Sequence, residues 1–374
     1  MSGRLSEKRG GLIAVFGTRP EAIKMCPLII KMREEGIGVE ILLSGQHKEM
    51  ANEVLGIFGL EPYRVIAIER DNDGLSELTC KLLSALSAEL EARRPCAILV
   101  HGDTATAFCA SLAGFYLGID VIHIEAGLRS GDLKNPFPEE LYRSCIGKIA
   151  SLHFAPTEVA RNNLIKEGIS EDKIFVTGNT VIDAFKYTLN EDYIPPWGTL
   201  WADSKLILLT AHRRESLDGA IFDTLLGVRD ALESSPDAIL LFPIHKNPKV
   251  IAAAEKIFGN MNRAILCPPL SVFDFHNTLK LAAVVVTDSG GVQEEAAYLG
   301  KPTLVIRECT ERGEGVLNSS LLLVGRKREV VFATLLELLH SDEKRKSLSR
   351  PTEIFGDGLA SERITEILRK FYSK

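Results

Sequence analysis

Short apolar runs recur along this chain, with amphipathic segments between them. In the first half they are Leu12–Phe16, Val39–Leu43, Ala97–Val100, Val121–Ile124, Leu152–Ala155 and Ile174–Val176. In the second half they are Leu206–Leu209, Ile239–Phe242, Ala264–Leu266, Val284–Val286, Thr303–Ile306 and Leu321–Val324. The runs are rich in Val, Ile and Leu and do not alternate with polar residues, which is the pattern of strands buried on both faces of a parallel sheet. Two such sets, interleaved with helical segments, predict an α/β fold of two doubly wound domains. The stretch EDYIPPWGTLWADS lacks helical period and separates the sets. The expected division is therefore residues 1–185, residues 186–355, and a terminal helix over 356–374 that packs across both halves.

Composition narrows the class. With 374 residues, 45% of them hydrophobic and 25% charged, the chain is long enough to bury two ordinary cores. A net charge of -6 gives no global attraction for nucleic acid or an anionic membrane, so a phosphate-bearing ligand has to be held by a local cation cluster. The seven cysteines lie far apart and form no metal-ligand spacing, which reads as reduced thiols of a cytoplasmic protein. The amino end, MSGRLSEKRGG, has no apolar core of a signal, and no run reaches the length of a membrane span.

In an open parallel sheet ligands bind at the carboxyl ends of the strands, so the polar residues after each run are the candidates. After the first run comes FGTRPEAIKM, where Gly17 permits a tight turn and Pro20 and Glu21 suit a helix start. Arg19 and Lys24 are then placed to reach an anion at that helix end. The third run ends in HGDTATA, whose Asp103 is either a helix N-cap or a functional carboxylate. Glu125 follows the fourth run directly, so it and Asp103 close consecutive strands. Carboxylates gathered in a partly desolvated cleft suit general acid/base work. The stiff NPFP loop delivers Glu139 and Glu140 to the next helix, with Glu140 read as a helix-terminus stabiliser. Arg129 and Arg143 are expected to balance this cluster or bind phosphate. In the second half, HRRES sets His212 after a strand, and PIHKNPK repeats the theme with His245. The turn Ser289, Gly290, Gly291 opens a helix and offers bare N–H groups to a phosphate. Glu294 and Glu295 stand one turn in, where a carboxylate can accept ribose hydroxyls, and Arg312 follows as a further anion ligand.

As a set, GTRPEAIKM, QHKEM, HGDTATA, EAGLRSGD, the PEE before Arg143, HRRES, TDSGGVQEEA, TERGEG and GDGLASERI resemble the non-hydrolysing UDP-N-acetylglucosamine 2-epimerases of bacteria, in order and spacing. The resemblance implies a GT-B-like architecture of two Rossmann-like, doubly wound domains with the active site in the cleft between them. It implies an isomerase that uses no metal and no NAD and serves cell-surface polysaccharide biosynthesis. The C2 proton of the sugar is removed as UDP leaves C1, giving 2-acetamidoglucal, and UDP then adds back with a proton on the other face of C2. By position, Asp103, Glu125 and Glu139 correspond to the family's catalytic carboxylates and His212 to its functional histidine. Arg19, Lys24, Arg143, Phe275, Ser289, Gly290, Gly291, Glu295 and Arg312 correspond to substrate contacts, with Glu295 at the ribose and Phe275 near the uracil. Gln46 and His245 match an effector site, although Glu49 replaces a common Gln there. A UDP-sugar substrate and a homodimer are implied; nucleic-acid and membrane partners are not.

The sequence departs from the family at Tyr142, Gly313, Ser319 and Ser320, positions expected near the sugar end of the site. Competing readings are a 2-epimerase of a modified UDP sugar such as a diacetamido uronate, the hydrolysing branch, a GT-B glycosyltransferase, and a non-enzymatic sugar-nucleotide binding protein.

Overall fold

The apolar runs become strands whose residues are almost wholly buried. In the computed structural model, residues 10–46, 48–68, 74–198, 204–211, 220–245, 247–318 and 320–372 are described. Among them are β1 (Leu12–Phe16), β2 (Val39–Leu43), β3 (Arg64–Val65), β4 (Ala97–His101), β5 (Asp120–Ile124), β6 (Leu152–Ala155) and β7 (Ile174–Val176). The second group is β8 (Lys205–Thr210), β9 (Ala238–Pro243), β10 (Ala264–Cys267), β11 (Val284–Thr287), β12 (Thr303–Val305) and β13 (Leu321–Leu323). All pairings are parallel, in the orders β3-β2-β1-β4-β5-β6-β7 and β10-β9-β8-β11-β12-β13. The two-residue edge strand β3 is the one strand with no counterpart among the predicted runs.

The chain divides into unit 1, Met1–Tyr187 with Gly356–Lys374, and unit 2, Thr188–Phe355. In unit 1 the helix Leu75–Arg93 turns Leu78, Leu82, Leu86 and Leu90 inward at four-residue spacing, the helical repeat. They pack with Ala107, Ala110 and Ala113 of the helix Ala105–Leu117 and with Ile146 of the helix Glu139–Ile149. In unit 2 the sheet packs against Leu225 and Val228 of the helix Ala220–Glu233 and Val331 and Leu335 of the helix Arg328–His340.

The terminal helix Ala360–Tyr372 belongs to unit 1. The carboxylate of Asp183 accepts hydrogen bonds from its first amides, Ser361 N at 2.7 Å and Ala360 N at 3.3 Å. Burial pushes the pKa of Asp183 up, and these hydrogen bonds pull the other way. Arg363 adds a bond from Nη1 to the carbonyl of Thr177 at 3.0 Å.

Candidate active site

In each unit the strand order reverses at one point, β1 beside β4 in unit 1 and β8 beside β11 in unit 2, and the loops leaving those strands come together. In unit 1 one buried carboxylate fixes two of them. Thr18 caps the helix Arg19–Glu34, and Glu21 closes a capping box, its Oε2 accepting from Thr18 N at 2.8 Å and Gly17 N at 3.1 Å. Its Oε1 accepts from Thr104 Oγ1 at 2.6 Å, and Thr104 in turn caps the helix Ala105–Leu117 through Ala107 N at 3.0 Å. The loops bearing Arg19 and Asp103 are thereby tied to each other. Gly17 is required at this crossing, because a Cβ there would lie 1.9 Å from Ser44 Oγ.

Since Thr104 is the cap, Asp103 is released for another role, and its carboxylate pairs with Arg143. Arg143 is only 4% exposed, and its Nη1 also lies 3.4 Å from Glu140 Oε2. Glu140 does more than stabilise a helix start. It is buried, and its Oε1 accepts from the amides of Ser130 at 3.0 Å and Gly131 at 3.1 Å. It therefore joins the loop after β5 to the helix Glu139–Ile149 and stands beside the Nη1 of Arg143, whose Nη2 meets Asp103. Glu139 is the first residue of that helix and is half-buried. It follows the NPFP loop, in which the Asn135–Pro136 and Phe137–Pro138 bonds are cis.

Glu125 leaves β5 with φ 62°, in the left-handed region that side chains other than glycine avoid at a cost on the order of 1–3 kcal/mol. The turn aims its carboxylate at three groups. Lys24 is ion-paired with Oε2, Asn179 Nδ2 donates to the same oxygen at 2.6 Å, and His101 Nε2 lies 4.0 Å from it. Lys24, expected among the UDP contacts, is thus engaged with Glu125 in unit 1.

Two expectations are corrected here. Arg129 does not balance the carboxylate cluster: it forms a two-pronged pair, at 2.6 and 2.9 Å, with Glu167 at the C-terminal end of the helix Glu158–Lys166. Tyr142 does not stand at a sugar. It is 7% exposed and stacks on Phe108, ring centroids 4.9 Å apart, inside the helical core.

In unit 2, β8 and β11 end side by side with Thr210 and Thr287 hydroxyls 2.6 Å apart. Ser289 then leads into the helix Gly290–Tyr298, whose first-turn amides have no partner within the helix. Gly290 is needed because a Cβ would meet the Arg312 guanidinium at 2.6 Å. Arg312 is buried against this helix start and held by Glu294 Oε1 at 2.8 Å and Glu311 Oε1 at 3.2 Å. Glu294, expected as an alternative ribose acceptor, is instead committed to positioning Arg312. Glu295 is 6% exposed; its Oε1 lies 3.5 Å from His276 Nε2, while Oε2 has no hydrogen-bond partner among the described residues. His276 is oriented by Thr188, Nδ1 to Oγ1 at 2.7 Å. Phe275, the residue before His276 in the helix Val272–Leu281, is half-buried.

Gln46 accepts a bond from Thr106 Oγ1 at 3.0 Å in unit 1, and His245 is exposed in unit 2, its Nδ1 accepting from Asn247 N at 3.2 Å. His212 and Ser319 lie outside the described residues. Among the described residues no cluster of His, Cys, Asp and Glu suited to a metal ion is found.

The model of the family described as UDP-N-acetylglucosamine 2-epimerase matches residues 31–369. The chain belongs to the UDP-N-acetylglucosamine 2-epimerase family. It is 43% identical over 366 residues to the UDP-N-acetylglucosamine 2-epimerase of Bacillus subtilis, covering 98% of this chain and 96% of that one. Its structure is similar to that of S. aureus MnaA in co-structure with UDP, with TM-score 0.93, 40% identity and 97% of each chain covered. It is also similar to the UDP-GlcNAc 2-epimerase of Neisseria meningitidis bound to UDP-GlcNAc, with TM-score 0.92, 37% identity, and 96% and 100% of the two chains covered. The two-unit α/β architecture is GT-B-like.

Four residues of this epimerase-family chain were not singled out from sequence: Asn179, His101, His276 and, in its joining role, Glu21. Asn179 and His101 both stand at strand ends, so the strand-end rule would have found them. His276 carried no signal, since a lone helical histidine is ordinarily a core residue.

Proposed function

We propose that this protein is a non-hydrolysing UDP-N-acetylglucosamine 2-epimerase that interconverts UDP-N-acetylglucosamine and UDP-N-acetylmannosamine. The observation that carries the reading is the pair of oriented carboxylates after adjacent strands β4 and β5, Asp103 fixed by Arg143 and Glu125 fixed by Lys24 and Asn179. Inversion at C2 needs one group to take a proton and another to return one on the opposite face, which a single carboxylate cannot do. Asp103, Glu125 and Glu139 are assigned to this proton traffic.

In the forward direction the C2–H pair forms the C1=C2 bond of 2-acetamidoglucal, and the C1–O pair leaves with UDP. In the return, a UDP oxygen re-forms the bond to C1 while C2 takes its proton from the other side. The sequence is redox-neutral, so it draws on no nicotinamide. Charge collects on the departing diphosphate, and the amides of Gly290 and Gly291 with Arg312 are suited to it. Glu295 Oε2, buried and without a partner among the described residues, is suited to accept ribose hydroxyls. We assign the remaining substrate contacts to Arg19 and Phe275 and a homodimer to the assembled state. Support for the dimer comes from Phe115 and Tyr116, 61% and 68% exposed at the end of the helix Ala105–Leu117.

The test is product analysis. Incubation with UDP-N-acetylglucosamine should yield UDP-N-acetylmannosamine by NMR. Free N-acetylmannosamine with UDP would assign the hydrolysing reaction instead, and an unchanged substrate that still binds would leave only a sugar-nucleotide binding protein.

A further inference from the structure

We infer that Asn179 is a positioning residue for Glu125, and that its amide donor, rather than its helix-capping oxygen, is what turnover requires. The inference rests on the reading of Glu125 as a proton-transfer group. Asn179 is 2% exposed and uses both ends of its side chain. Its Oδ1 accepts from Val181 N at 3.1 Å, capping the short helix Thr180–Asp183, and its Nδ2 donates to Glu125 Oε2 at 2.6 Å.

Three observations give this bond work to do. First, Glu125 sits on left-handed backbone, so its own chain does not favour the conformation it needs, and side-chain partners must hold it there. Second, its Oε2 is met by groups from two other elements, Lys24 of the helix Arg19–Glu34 and Asn179 of the loop after β7. Lys24 is a point charge on a flexible stem, whereas an amide fixed by its own capping bond sets a direction. Third, the tail crowds Asn179 into place. A Cβ on Gly356 would lie 3.1 Å from Asn179 N and 3.3 Å from its carbonyl oxygen, and Gly356 itself has φ 139°. At the other end of the short helix that Asn179 caps, Asp183 receives the first amides of the terminal helix. The chain segment that returns to unit 1 at Gly356 therefore packs on the residue that orients Glu125.

Capping and positioning can be separated by substitution. Asn179→Asp keeps an oxygen for Val181 N, since Asp caps as well as Asn, but replaces the donor facing Glu125 by a second carboxylate oxygen. Asn179→Ala removes both functions. The full-length protein is assayed with UDP-N-acetylglucosamine, measuring kcat, KM, the pH profile of kcat/KM and thermal stability. Asn179→Asp should keep more of the parent's thermal stability than Asn179→Ala, yet lose roughly tenfold to a hundredfold in kcat with little change in KM. The limb of the pH profile that Glu125 governs should move up by about one pH unit, because two carboxylates at this distance share a proton. Asn179→Ala should lose both stability and kcat. An Asn179→Asp variant with parental kcat and pH profile would overturn the inference, leaving Asn179 a cap alone. Glu125→Gln is the control: if it retains full turnover, the role of Glu125 fails instead, and the two outcomes are distinct.

Discussion

Arg143→Met removes a guanidinium while keeping the length of the aliphatic stem, and its cost can be worked from its surroundings. The side chain of Arg143 is 5% exposed, between side chains of Asp103, 25% exposed, and Glu140, 2% exposed. Breaking a buried ion pair by removing one partner costs about 3–5 kcal/mol, because the other charge is left uncompensated. Two features reduce that figure here. Glu140 keeps the amides of Ser130 and Gly131, and Asp103 reaches solvent, which screens it. A loss of about 2–3 kcal/mol is then expected, or roughly 4–12 °C for a unit of this size. Because the molecule has two units, the loss should be read on the transition of unit 1 by calorimetry, alongside steady-state turnover at 25 °C. Turnover should fall at least about tenfold at a temperature where the variant is folded, since Asp103 loses its orienting partner. Adding Glu140→Gln should recover part of the stability by removing the stranded charge, but none of the turnover. A single Arg143→Met variant melting within 1 °C of the parent would refute the reasoning, as would stability that falls further when Glu140→Gln is added.

Asp103→Asn, Glu125→Gln and Glu139→Gln should each lower kcat by roughly a hundredfold or more while UDP affinity by calorimetry stays within a few-fold; parental turnover in all three would remove the acid/base assignment. Glu295→Gln should weaken UDP binding by roughly tenfold or more, the scale of a hydrogen bond to a charged group, with kcat less affected; unchanged affinity would remove Glu295 from the ribose. Stability should fall on acidification in a window set by two buried imidazoles. Burial, with repulsion from neighbouring His153, holds His123 down at about 3, and burial holds His153 down at about 4, against an ordinary value of 6.5. Both stay neutral in the folded state while the unfolded chain takes up their protons below about 6.5. Their stabilisation is therefore full above that pH and is lost as pH falls toward about 4 and then 3, by up to about 1.4 kcal/mol per unit for each. Urea titrations at pH 7, 5.5 and 4.5 check this; His123→Asn with His153→Leu should flatten the slope, and a wild-type protein equally stable at 7 and 4.5 would contradict it.

Most of the fold is legible in the chain because strands buried on both faces write themselves as unbroken apolar runs. The miss, β3, is two residues at a sheet edge, too short to carry a pattern. Site residues are legible where a strand ends, so Asp103, Glu125 and Ser289 stand out. What they bind is not, since Arg129 meets Glu167 across 38 positions of chain and no local rule foresees it. Tyr142 was open to a better reading. On the helix it shares a face with Ile146, four residues on, which is core, whereas Arg143 shares a face with Glu139. Asn179 is legible by the same rule, since it follows β7 as Asp103 follows β4.

The most direct measurement is solvent exchange at C2. Incubation with UDP-N-acetylglucosamine in deuterated water, followed by NMR and mass spectrometry, should give UDP-N-acetylmannosamine carrying one deuterium at C2, with deuterium appearing in the recovered substrate as well. UDP-N-acetylmannosamine formed with its C2 hydrogen fully retained would contradict removal and return of that proton by Asp103, Glu125 and Glu139.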